Sequence, residues 1–253
     1  MGTNIYSSCF SLDGRFLALC WTNGILQVWD PSQRVLSHQW TNTTGKVHAI
    51  DFLAGGKKLT TFSVSDNLFH ERDLTTGLEI QSWQGPAAFG GTFALTPDEG
   101  SCMAIGSEGD VIFKNLTDNS NTKVDLDVLE APSASFSPGG KLFAVASHLG
   151  YARVWDTATW RQVATLGGFL NGAESVNFSP DGKRLAIASV GKEAVKLWDT
   201  DSWQDVFTLE AQGTGFMGVW FSPDGNTIAW GNRTTIYVWR APPWAEINAA
   251  EAK

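Results

Sequence analysis

The 253-residue sequence predicts an all-β fold in which one small sheet is built six times over. Three observations carry that prediction. A tight-turn motif recurs along the chain, a two-residue mark that is Trp-Asp in three units follows each turn at a nearly constant distance, and the strand after each turn is apolar on both faces. A repeat period outweighs any single motif, because a missed period misreads the whole fold.

The turn reads SLDG at 11–14, LAGG at 53–56, TPDEG at 96–100, SPGG at 137–140 and SPDG at 179–182 and 222–225. The paired mark is Trp29-Asp30, Arg72-Asp73, Lys114-Asn115, Trp155-Asp156, Trp198-Asp199 and Trp239-Arg240. Second members of successive pairs stand 43, 42, 41, 43 and 41 residues apart. Trp29, Asp30, Trp155, Asp156, Trp198, Asp199 and Trp239 are therefore repeat residues, with structural roles copied from unit to unit.

The fifth unit shows the elements in order. Residues 174–179 alternate, with Val176 and Phe178 on one face. Pro180 pre-sets φ for the turn and Gly182 accepts a positive φ. Residues 184–189 (RLAIAS) form a nearly continuous apolar strand, 194–199 (AVKLWD) a third and 205–209 (DVFTL) a more exposed fourth. A half-exposed sheet alternates apolar and polar residues. A strand apolar on both faces instead fits small sheets standing face to face around an axis, a β-propeller of four-stranded antiparallel blades. Second strands end in small residues (Gly106-Ser107, Ala146-Ser147, Ala188-Ser189), as the tight space near an axis requires.

These marks resemble the WD-repeat family over residues 5–240, most closely at 178–199 and 220–239. The resemblance implies a radial array of blades and a protein-interaction scaffold rather than an enzyme. Two features depart from the family pattern. No Gly-His dipeptide precedes any first strand, and the second and third units lack the Trp. Packing is then expected to hold the blades more than a repeated polar network, with the second and third blades the most irregular.

Six WD-like repeats are visible, the last without its outer strand. The expectation is the C-terminal part of a longer protein, with the missing strand and a seventh blade upstream. The alternative is a six-bladed ring closed by the tail or left open. Domain limits are set at 1–241 for the propeller and 242–253 for a short helical tail. Two prolines stop the last strand and an Ala- and Glu-rich segment follows, read as a capping helix or as a partner-binding one. The tail WRAPPWAEINAAEAK is also similar to the C-termini of bacterial WD-repeat proteins, some of them carrying a serine/threonine kinase domain upstream.

A formal charge of −8 with no basic cluster beyond Lys57-Lys58 argues against nucleic acid and anionic membranes as partners. No apolar run approaches a membrane span and no signal-peptide pattern opens the sequence. Three cysteines, Cys9, Cys20 and Cys102, form no CxxC pair. That usage suits a reducing compartment, so a cytoplasmic location is expected. Cys9 and Cys20 flank one hairpin and are read as buried thiols.

Motifs of acyl transfer, metalloproteolysis, nucleotide binding and EF-hand calcium binding are absent from the sequence. No catalytic residue, metal site or cofactor is expected. His48 and His70 read as packed or satisfied histidines. Alternating carboxylates at Glu71/Asp73 and Asp125/Asp127 read as solvated edges. A propeller enzyme or small-ligand sensor is the alternative, and it would need acidic or metal-ligating residues converging at the inner strand ends.

On a rigid scaffold, function falls to loops. By family position, the partner face is made by loops joining second to third strands and fourth strands to the next first strand. These loops hold Trp21, Phe89, His148, Tyr151, Phe169, Phe216, Trp230 and Arg233. They are the candidate contacts for a protein or peptide partner, since aromatics and Arg dominate interface hot spots.

Overall fold

The computed structural model describes residues 5–11, 13–41, 47–53, 56–63, 65–85, 89–106, 109–211, 215, 218–232 and 235–240. Residues 242–253, assigned above to a helical tail, lie outside them.

Blade 1 contains β1 (Ile5–Phe10), β2 (Leu17–Trp21), β3 (Ile25–Asp30) and β4 (Val35–Thr41). Blade 2 contains β5 (Val47–Leu53), β6 (Lys58–Ser63), β7 (Leu68–Asp73) and β8 (Glu79–Gln84). Blade 3 follows with β9 (Phe89–Leu95), β10 (Ser101–Gly106), β11 (Val111–Asn115) and β12 (Asn121–Val124). Blade 4 is β13 (Ser133–Phe136), β14 (Leu142–Ser147), β15 (Tyr151–Asp156) and β16 (Arg161–Leu166). Blade 5 is β17 (Ala173–Phe178), β18 (Arg184–Ser189), β19 (Val195–Asp199) and β20 (Asp205–Leu209). Blade 6 has β21 (Gly218–Phe221), β22 (Thr227–Gly231) and β23 (Ile236–Arg240). Each sheet is an antiparallel meander in chain order, giving five four-stranded blades and a three-stranded sixth among the described residues. The described residues thus build six blades of a β-propeller.

The turn between first and second strands is a repeated device. Ser11 Oγ donates to Asp13 Oδ1, which also accepts from the Arg15 amide, while Ser11 Oγ accepts from the Phe16 amide. Thr96/Asp98, Ser179/Asp181 and Ser222/Asp224 repeat the pairing, with hydroxyl–carboxylate distances of 2.5–2.6 Å. Gly182 closes its turn at φ +72°, a left-handed conformation that costs glycine no side-chain clash. At the far end of each third strand, Asp30, Asp73, Asp156 and Asp199 accept backbone amides of the following turn. Asn115 does the same in blade 3. The Ser32 and Thr159 hydroxyls at Asp30 and Asp156, and these amides at all four, hold the aspartate carboxyls below their ordinary range. The recurrent Asp is a turn cap, and Asp73 is one of the set.

Five hydrophobic clusters form, one between each consecutive pair of blades from 1–2 to 5–6. In each, the onward face of one sheet meets the backward face of the next. Between blades 5 and 6, for example, Ala186, Ala188, Val195 and Leu197 meet Val219, Ile228 and Trp230. Second strands sit mid-sheet with both faces covered, so β6, β10, β14 and β18 are buried at every residue after the first.

The ladders of blades 2 and 3 carry register shifts, as do those of blades 1, 4 and 5, so pairing does not set blades 2 and 3 apart. Their irregularity lies in what they bury: Thr60, Thr61, Glu71, Thr92 and Lys114 are all interior.

Candidate functional site

Antiparallel connectivity puts the loops joining second to third strands, and those leading into the next blade, at one end of the propeller. Over blades 3 to 5 these upper loops are stitched together. Ser147 Oγ donates to Leu129 O at 2.8 Å and the His148 amide donates to Glu130 O at 3.0 Å. The Val190 amide donates to Gly172 O, and the Leu170 amide to Glu193 Oε1. Gly172 has φ +101°, and a Cβ there would lie 2.8 Å from His148 O, so close backbone approach locks this loop against its neighbour.

The stitched loops hold three leucines out into solvent, Leu129, Leu149 and Leu170, the last 84% exposed. Around them stand Tyr151, with the Arg153 guanidinium 4.8 Å above its ring, and His148, whose Nε2 lies 3.3 Å from the Glu174 carboxylate. Arg153 also donates to Asp127 O and Oδ2. The surface combines exposed aliphatic side chains with a fixed polar surround. Aromatic-based reasoning missed these leucines, because nothing in sequence separates a leucine at a loop tip from a leucine folded back into a blade.

The sequence-predicted rim divides. Phe169 and Trp230 are buried, at 6% and 4% exposure, and correct that expectation. Phe169 packs between blades 4 and 5 with Lys196 Nζ 5.7 Å from its ring centre, and Trp230 stacks on Tyr237 at 5.6 Å. Their rings cap blade interfaces because leaving them in water would forfeit apolar burial. Trp21 and Tyr151 are half-buried and His148 is exposed. The Trp21 and Trp29 indoles both donate to Gln27 Oε1, at 3.0 and 3.2 Å. Phe216 and Arg233 lie outside the described residues, as does the side chain of Phe89.

Other titratable groups fall elsewhere. His70 is satisfied by Glu79 and Asp66 on its own blade. The side chain of His48 is outside the described set. Glu71, expected at a solvated edge, is 1% exposed, because its strand position points onward into blade 3. Its nearest cation is Lys58 Nζ at 3.6 Å. Asp125 and Asp127 lie beyond the end of β12, exposed as expected. At the lower ends of the inner strands, a cleft of about 220 Å³ is lined by Phe10, Asp51, Phe52, Leu95, Thr96, Pro97 and Glu99. Burial pushes the Asp51 carboxyl up to about 7 against the pull of the Phe52 amide, and the Glu99 charge adds to the rise. Among the described residues no three of His, Cys, Asp and Glu gather in a metal-holding arrangement. Cys9, Cys20 and Cys102 are free thiols, and burial raises all three, Cys20 to about 12.

Fold, repeat spacing and turn chemistry together resemble those of WD-repeat propellers, and the fold is consistent with a protein-interaction scaffold. The family model described as "WD domain, G-beta repeat" matches residues 130–156, the first three strands of blade 4. The U3 small nucleolar RNA-associated protein 15 homolog of Xenopus tropicalis is 28% identical over 191 residues, 73% of this chain and 36% of that protein. The uncharacterized WD repeat-containing protein sll1491 of Synechocystis sp. is 25% identical over 150 residues, 58% of this chain and 42% of its own length. The chain thus spans about two fifths of the relatives it matches.

Proposed function

We propose that this chain is a non-catalytic docking module, cytoplasmic and part of a larger bacterial signalling protein, whose upper face over blades 3 to 5 receives a protein or peptide partner. The observation that carries the reading is the exposure of Leu129, Leu149 and Leu170 on loops tied to one another by backbone hydrogen bonds. Exposed aliphatic side chains on a preorganised surface bind with little ordering cost. Tyr151, His148 and Glu174 flank them and supply direction. The free thiols support a reducing compartment. The bacterial, kinase-linked setting rests on the resemblance of the C-terminal tail alone.

The test is a pair of exposed substitutions, Leu149→Asp with Leu170→Asp, used as bait beside the unaltered chain in lysate of the source organism. Proteins captured by the unaltered chain and identified by mass spectrometry should drop out with the variant, while its melting temperature stays within a degree or two. Identical capture by both baits moves the site off this face.

A further inference from the structure

Among the described residues, the two end faces of the blade series are built as blade interfaces but join no cluster with another blade. Ladder register aligns Ile236 of β23 with Leu26, Phe69, Val111, Ala152 and Val195. Those five are at most 1% exposed, and Ile236 is 76% exposed. Val238 aligns with Val28, Val154 and Leu197, which are buried, yet it is 64% exposed. This is the onward face of blade 6.

The backward face of blade 1 shows the same contrast. Phe10 aligns with Phe52, Phe136 and Phe178, all buried, and is itself 59% exposed. Leu17, Leu19 and Trp29 share that face and are half-buried. Because Gln27 already accepts from both the Trp21 and Trp29 indoles, the rings present apolar surface without an unpaired donor. Among the described residues no cluster joins blade 6 to blade 1, whereas each of the five internal junctions has one.

We propose that a seventh four-stranded blade of the same repeat type, belonging to the larger polypeptide suggested above, seats between blade 6 and blade 1. The argument is continuity with the five interfaces already formed. An onward face takes a backward face, and one blade carries one of each, so a single sheet covers both open faces at once. Direct closure of blade 6 on blade 1 would bury Ile236, Val238 and Phe10, which are exposed. A second copy docking head to tail would cover one pair of faces and leave another pair open. Trp220 adds a specification. It stands, 56% exposed, where Cys9, Ser135 and Asn177 stand in blades 1, 4 and 5, so the incoming face must be hollow enough to take an indole.

The test reads the accessibility of cysteines placed at these positions, in a Cys9→Ser background. Ile236→Cys and Phe10→Cys in the 253-residue chain should react with a maleimide about 100-fold faster than Val195→Cys, the buried equivalent. The probe for the missing blade is a copy of residues 168–211 joined upstream of Ile5. In that fusion both reactive cysteines should become protected toward the Val195→Cys level, and the melting temperature should rise. Protection of Ile236→Cys in the monomeric, unfused chain would mean that the ring closes on itself and would overturn the proposal. Protection that grows with concentration alongside dimer formation in sedimentation overturns it in favour of a second copy. A fusion that leaves both cysteines reactive overturns it as well. Adding the Leu149→Asp and Leu170→Asp changes should leave every protection factor unaltered, which separates this result from the fate of the docking face.

Discussion

Blades 4 and 5 meet through an apolar seam, whereas blades 2 and 3 meet through one that contains charge. The first seam is Ala144, Ala146, Ala152 and Val154 against Val176, Phe178, Leu185 and Ile187. The second keeps Phe62, Phe69 and Trp83 against Cys102 and Ala104 but also holds Glu71 and Lys114. Glu71 takes the position of Val154 and Leu197, and Lys114 that of Trp155 and Trp198. Lys114 Nζ bonds Asn119 O at 2.7 Å and the Asn119 side chain, and sits 5.5 Å from the Trp83 ring. Burial lowers its ammonium below the ordinary value. Neither Glu71 oxygen has a hydrogen-bond partner, and Lys58 is its direct ionic contact. The same backbone frame therefore tolerates two kinds of seam, and the charged one carries a desolvation cost that its contacts offset incompletely.

The largest effect should come from breaking the apolar seam. Phe178→Ala removes a ring 4% exposed and should cost about 3–5 kcal/mol in urea unfolding, since packed neighbours relax little into the space. A cost below about 1 kcal/mol would show that this seam does not hold the blades together.

Next comes repair of the charged seam. Glu71→Leu with Lys114→Met gives it the character of the other and should raise stability by about 1–4 kcal/mol. A loss would mean that the buried charges contribute net stabilisation.

Smallest at neutral pH, and most diagnostic, is the carboxyl of blade 2 that has no counterpart in blade 5. Asp51 occupies the position of Asn177. Its folded pKa of about 7 lies above its ordinary value of 3.8, so the folded state holds a proton that the unfolded chain releases. That contribution is complete below about pH 4 and is lost as pH rises through 7, with a slope of at most about 1.36 kcal/mol per pH unit. Asp51→Asn should flatten this stretch of the stability curve. The exposed turn carboxyls Asp13, Asp181 and Asp224 have the opposite sign: held low by Ser hydroxyls and backbone amides, they stabilise above 3.8 and lose that contribution as acid protonates them. The acid limb below pH 4 should persist in the variant. An unchanged slope between pH 4 and 7 would assign the neutral-range dependence to another group.

Much of the fold was legible because the repeat is written in residues with few alternatives. The SPDG turns and the Trp-Asp pairs place strands to within a residue, as at Arg184–Ser189 and Asp205–Leu209. The candidate face follows from loop position, but which of its residues reach solvent does not. Phe169 and Trp230 look like rim aromatics in sequence and are seam residues in space, while Leu149 and Leu170 look like ordinary hydrophobes and are exposed. Glu71 shows the same limit. Alternation puts it on a face, but whether that face meets solvent or the next blade depends on a residue about forty positions away.

The sequence alone determined the period, the all-β class and the turn chemistry, because these depend on φ preferences and hydrogen bonds within a few residues. The tertiary structure decided which loops carry exposed leucines, where two charges are buried and which sheet faces remain open. Burial depends on what arrives from a neighbouring blade, and no local pattern records that.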